Sequence, residues 1–119
     1  MDLRIGALSR EQRAALREKA QALFEASKPE EAAAMFELLL QAGDHAPEVL
    51  LSYALTLCLL ERTTEARRFR ELGLQAAALV KATPEQRSVL DHLATVVGDR
   101  LPGGRKHADA QQASLWGGT

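Results

Sequence analysis

At 119 residues, with 46% hydrophobic and 26% charged side chains, the chain is long enough for one modest domain and has a globular composition. Fifteen basic against sixteen acidic side chains leave a net charge of −1, which argues against broad electrostatic binding to nucleic acid or to an anionic membrane. The single cysteine cannot form an internal disulfide, no apolar run reaches the roughly 18 residues of a membrane span, and Met1-Asp2-Leu3-Arg4-Ile5-Gly6 lacks the apolar stretch of a signal peptide. The expectation is a small soluble cytoplasmic domain.

Residues 1–8 read as a flexible lead. Ser9 with Gln12 forms a capping-box pattern, hydroxyl and amide covering free N–H groups at a helix start. Ala15, Leu16, Ala20, Leu23 and Phe24 then recur at helical spacing to about Ala26. Ser27 with Glu30 repeats the box, with Pro29 tolerated in the first turn. Ala32, Phe36 and Leu39 give the second helix its apolar face, and Gly43 supplies a left-handed end.

Asp44 or Ala46 starts the third helix, with Pro47 in its first turn. Leu50, Leu51, Tyr53, Ala54, Leu55, Leu57, Cys58, Leu59 and Leu60 make it apolar nearly all round, so it should be the central, most covered helix. Arg62-Thr63-Thr64 reads as a turn. Ala66, Phe69, Gly73, Ala76 and Val80 mark the fourth helix. Thr83-Pro84-Glu85-Gln86 is the strongest start signal in the chain, and Val89, Leu90, Leu93, Val96 and Val97 carry the fifth helix to about Arg100. From Pro102 the Gly- and Gln-rich sequence offers no periodic apolar face, which predicts a disordered tail over 102–119. Leu115-Trp116 is the exception within it, either incidental or a docking peptide, since a buried Trp is a strong anchor.

No catalytic constellation stands out. His45, His92 and His107 fall in a turn, a helix and the tail, without metal-ligand spacing to one another or to Cys58, so neither a metal site nor a cofactor is expected. Cys58, between two leucines, reads as a buried inert thiol. No glycine-rich phosphate loop follows a strand. Arg62, Arg67, Arg68 and Arg70 interleave with Glu61, Glu65 and Glu71, the pattern of a solvated helix face or else a patch for an acidic partner. The expectation is a protein that binds another protein and is not an enzyme.

A repeat organises these elements. Glu31-Ala32 returns as Glu65-Ala66, 34 positions on, and the same offset carries Leu16 onto Leu50, Ala20 onto Ala54 and Leu23 onto Leu57. One helix pair cannot bury its own apolar faces, so successive pairs must stack, and alanine at 20, 32, 54 and 66 lets helix axes approach closely. The fold class predicted is all-α, a five-helix antiparallel helical-hairpin array spanning 9–101. The period and the order of elements resemble the tetratricopeptide repeat family: two repeats, over about 13–46 and 47–80, plus a capping helix in 81–100. Lys19, Arg70 and Gly73 depart from that family's apolar or small positions, and Asp44 replaces its customary proline, with Phe69 positioned to take the place of residue 70.

In size, repeat number and its opening Leu8-Ser9-Arg10-Glu11-Gln12, the chain is similar to the tetratricopeptide-like chaperones of bacterial type III secretion, of the export-apparatus cochaperone or needle-subunit chaperone type. That resemblance implies a cytoplasmic, non-catalytic chaperone holding an amphipathic helical secretion substrate or a cochaperone in an apolar concave groove. The groove would present Arg17, Gln21 and Phe24, then Leu51, Leu55 and Cys58, then Glu85, Val89 and His92. Leu51 and Leu55 would form its floor, unless the first or fifth helix covers them. The alternative is a general tetratricopeptide scaffold or a homodimerising adaptor.

Overall fold

The computed structural model describes residues 8–101. Within them lie five α-helices in succession: α1 Arg10–Glu25, α2 Pro29–Gln41, α3 Pro47–Leu59, α4 Thr63–Leu79 and α5 Pro84–Arg100. The predicted lead, apart from Leu8, and the predicted tail over 102–119 fall outside the described residues. Each helix packs on the one that follows it, and α3 additionally packs on α5. The result is the expected array of antiparallel helical hairpins with α3 at its centre.

Start signals read from the sequence hold at both capping boxes. Ser9 Oγ accepts from the Gln12 N–H while the Gln12 amide oxygen accepts from the Ser9 N–H, and Thr83 with Gln86 repeats the exchange. The box expected at Ser27 and Glu30 does not form. Ser27 instead adopts φ +62 just past the end of α1, and Lys28 is the N-cap of α2 without a side-chain bond. The Arg62-Thr63-Thr64 turn is shorter than expected, because helix α4 already begins at Thr63.

The 34-residue offset is built into the backbone. The Lys28 N–H donates to the Leu23 carbonyl at 2.9 Å, and the Arg62 N–H to the Leu57 carbonyl at 2.9 Å. Ser27 to Phe24 (3.1 Å) and Glu61 to Cys58 (3.0 Å) complete the pair of hydrogen bonds that closes each helix end. Glu61 has φ +60, matching Ser27 one repeat earlier. Gly43, at φ +90, closes α2 in the same manner, where only glycine adopts that backbone without strain.

The core is continuous from α1 to α5. Ala20, Ala32, Ala54 and Ala66, the small positions of the repeat, are all fully buried. Leu39, Val49, Leu57 and Val97 fill the space between them. The aromatic side chains form a chain of contacts, Phe36 to Tyr53 at 6.3 Å and Tyr53 to Phe69 edge-on at 4.7 Å between ring centroids. Phe69 thus takes the packing position next to Arg70, as expected.

Two further departures from the repeat pattern are explained by α3 and α5. Gly73 is buried where α4 crosses Leu51, and any Cβ there would stand 2.7 Å from Leu51 Cγ and Cδ2. Arg70 reaches across to α5, its Nε donating to the Ala94 carbonyl at 2.8 Å, with its guanidinium lying over Gly98. Arg87 of α5 returns the favour to α4. Its Nη1 donates to the Ala77 carbonyl at 2.9 Å, satisfying an end group that α4 itself leaves without a partner.

Candidate leading-helix groove

Helices α1, α3 and α5 are the first helices of successive hairpins, and their shared side is where a ligand groove is expected. On α1 only Ala20 is fully buried, so most of that helix faces outward. Leu16, Ala20, Leu23 and Phe24 pack it on the core, and Arg17 adds a polar tie. The guanidinium donates through Nε to Asp44 Oδ2 and through Nη2 to Asp44 Oδ1, both at 2.7 Å, and lies 3.7 Å from Glu48 Oε2. Asp44 is only 4% exposed. Burial pushes its carboxyl upward, but the two hydrogen bonds and charge of Arg17, with the Ala46 N–H, outweigh burial and hold it below the ordinary carboxylate range. The planar fork of arginine suits this paired contact, which ties α1 to the loop between α2 and α3.

Between the three helices lies a cleft of about 480 Å³ lined by Arg17, Glu18 and Gln21 of α1, Phe36 of α2, Glu48, Val49 and Ser52 of α3, and Val89, His92 and Leu93 of α5. A second cleft, of about 620 Å³, adjoins it and shares Glu48 and Val89. That one runs between the start of α3, from His45 to Glu48, and the turn from α4 into α5, including Leu79, Val80, Lys81 and Glu85.

Of the nine residues expected on the groove, Arg17, Gln21, Val89 and His92 line the leading-helix cleft, and Glu85 lies in the adjoining one. Phe24 is half-buried against the core. Leu51 is fully buried beneath Gly73, with Ala77, Leu90 and Ala94 around it, so α4 and α5 cover it. Leu55 is in the main core. Neither is a groove floor in this structure. Cys58 is half-buried with Sγ 4.0 Å from the Val97 carbonyl, and burial raises its thiol pKa, partly opposed by the charge of Arg100. An inert packed thiol fits that setting.

The side of α3 that reaches the cleft is carried by Glu48 and Ser52 instead, turned roughly 60° and 100° from Leu51 about the helix axis, with the buried Val49 beneath them. A signal for it exists in the sequence. Glu48, Ser52 and Thr56 form the single polar stripe, at steps of four, on a helix otherwise apolar all round. Its first two members, Glu48 and Ser52, line the cleft, whereas Thr56 is fully buried and donates its hydroxyl to the Ser52 carbonyl at 2.9 Å.

Elsewhere, Arg62 donates twice to Glu65 at 2.7 Å and lies 3.9 Å from Glu37, which in turn accepts from the Tyr53 hydroxyl at 2.8 Å. Burial, and then the Glu37 carboxylate, push the Tyr53 phenol up to about 12. These contacts tie α3 to α2 and to the start of α4. Among the described residues no group of three or more His, Cys, Asp or Glu is placed to hold a metal ion, and no helix is long and apolar enough to cross a membrane. Comparison with protein-family models, with curated proteins and with solved structures gave no match for this chain.

Proposed function

We propose that the chain is a non-catalytic chaperone that holds one amphipathic helix of a protein client along α1, α3 and α5, in the manner of the type III secretion chaperones its sequence resembles. The observation that carries this reading is the cleft walled by all three leading helices, with the exposed Val89 and the half-buried Leu93 supplying apolar surface over the buried Val49 and Phe36, and Gln21, Ser52 and His92 supplying polar partners. A groove of mixed lining suits a helix that presents an apolar stripe at steps of three and four. Arg17 contributes shape more than free charge, because Asp44 already engages it.

The test is retention of a partner by the affinity-tagged full chain in cytosol of its source organism. Wild type should retain a short helical protein, and Ser52→Glu should retain it at least about tenfold less, since a carboxylate placed in the cleft must be desolvated against apolar client surface. Circular dichroism establishes that the variant is folded. A folded Ser52→Glu chain with undiminished retention refutes the groove. A stable homodimer that retains nothing favours the adaptor reading.

A further inference from the structure

Five large apolar side chains are exposed among the described residues, and three of them, Leu79 (86%), Val80 (40%) and Val89 (56%), line the one cleft beside the α4–α5 turn. Val89 and Glu48 belong also to the leading-helix cleft, so whatever fills the first cleft borders the second. Nothing in residues 8–101 covers Leu79.

We infer that the occupant is the chain's own Leu115-Trp116. The geometry of the exit from α5 permits it. Leu101 has already left the helix, with ψ 134, and is buried, and Pro102 cannot extend the helix. Leu101 lies about 18 Å along α5 from Val89 at 1.5 Å per residue. Trp116 follows Leu101 by 15 residues, a span of up to about 50 Å when extended, so the segment reaches the cleft with slack.

The chemistry matches as well. Leu115 and Trp116 are the only large apolar side chains in 102–119, and Ser114 and Gly117 beside them are small. An indole presents a broad apolar face and one N–H donor, and the cleft presents Leu79, Val80 and Val89 beside the carboxylates of Glu48 and Glu85. Tethering makes the docking intramolecular, at an effective concentration on the order of millimolar, so a small contact suffices. The segment then competes with any ligand of the adjoining cleft that leans on Val89. This inference stands on the open cleft and the sequence, and does not depend on the client reading.

Trp116 is the only tryptophan of the chain, so the intrinsic fluorescence of the full-length protein reports on it directly. Wild type should emit at shorter wavelength than N-acetyltryptophanamide and resist acrylamide quenching several-fold better, unchanged on tenfold dilution. Leu79→Asp and Val89→Asp, at exposed helical positions, should keep their helicity and bring both readings to those of the free indole. Leu72→Asp, on an exposed face away from the cleft, should leave Trp116 shielded. A wild-type Trp116 as accessible as the free indole overturns the inference. So does shielding that survives both cleft substitutions or is lost with Leu72→Asp. Shielding that disappears on dilution overturns it in favour of a second copy.

Discussion

Gly73→Ala separates packing from helix propensity at a position where the two oppose each other. In α4 alone, replacing glycine by alanine should stabilise the helix by about 1 kcal/mol. In the folded chain the new methyl would sit 2.7 Å from Leu51 Cγ and Cδ2 and 3.4 Å from Leu50 Cβ. Leu51 is fully buried, and its Cγ lies too near the backbone to swing aside as the tip of a long side chain would. Overpacking of this kind destabilises by roughly 1–3 kcal/mol, so the net expectation is a loss of about 1 kcal/mol. For a domain of this size that lowers the midpoint by roughly 4–8 °C. Thermal unfolding followed by circular dichroism measures it. Gly98→Ala is the comparison, because its nearest neighbour is the movable tip of Arg70 at 3.0 Å, and there the two effects should offset. A rise in midpoint for Gly73→Ala comparable to the propensity gain would refute the close crossing of α3 and α4.

Arg17→Ala should lose about 2 kcal/mol in urea unfolding at neutral pH, less than the roughly 3–5 kcal/mol for breaking a fully buried pair because Arg17 itself is partly exposed. In wild type the depressed Asp44 carboxyl contributes stability that is present above its unfolded pKa of about 4 and lost as pH falls through the folded value, so the gap between the two proteins should narrow in acid. Tyr53→Phe should lose about 0.5–1.5 kcal/mol at neutral pH by removing the hydrogen bond to Glu37. Because the folded phenol is raised from 10.0 to about 12, its contribution holds below pH 10 and is lost as pH rises through 12, so urea midpoints of wild type and Tyr53→Phe should converge over that interval. Leu55→Asp should abolish the cooperative helical transition seen by circular dichroism, since Leu55 is core; a folded variant would reopen the case for Leu55 as groove.

Helix positions were legible because their ends carry chemistry: Thr83-Pro84 with Gln86 fixes the start of α5, and Gly43 the end of α2. Ser27 misled for the same reason. Its hydroxyl suits an N-cap, but the chain closes α1 with a backbone motif that needs a left-handed residue there, and Lys28 becomes the cap. Arg70 and Gly98 illustrate a limit of a different kind. Each breaks a local rule alone, a charge at a packing position and a glycine inside a helix, and only their contact across two helices explains both.

The groove face was harder to read because equal places in a repeat are not equal environments. The offset that relates Leu23 to Leu57 is exact in the backbone, down to the matching bonds from Lys28 and Arg62. Moving Arg17 and Gln21 forward by the same offset gives Leu51 and Leu55, yet those two pairs have opposite fates. The leading helix α3 is covered by α4 and α5, which close over Leu51 through Gly73, Ala77, Leu90 and Ala94. The leading helix α1 has no preceding hairpin within the described residues, so Arg17 stays partly exposed and is secured by Asp44 rather than by packing. An apolar helix such as α3 therefore marks its open side by its few polar residues, Glu48 and Ser52, and not by its leucines. Val89 on α5 is the converse case. It follows Leu55 by one repeat, has no fourth leading helix to cover it within residues 8–101, and stands open where its counterpart is core.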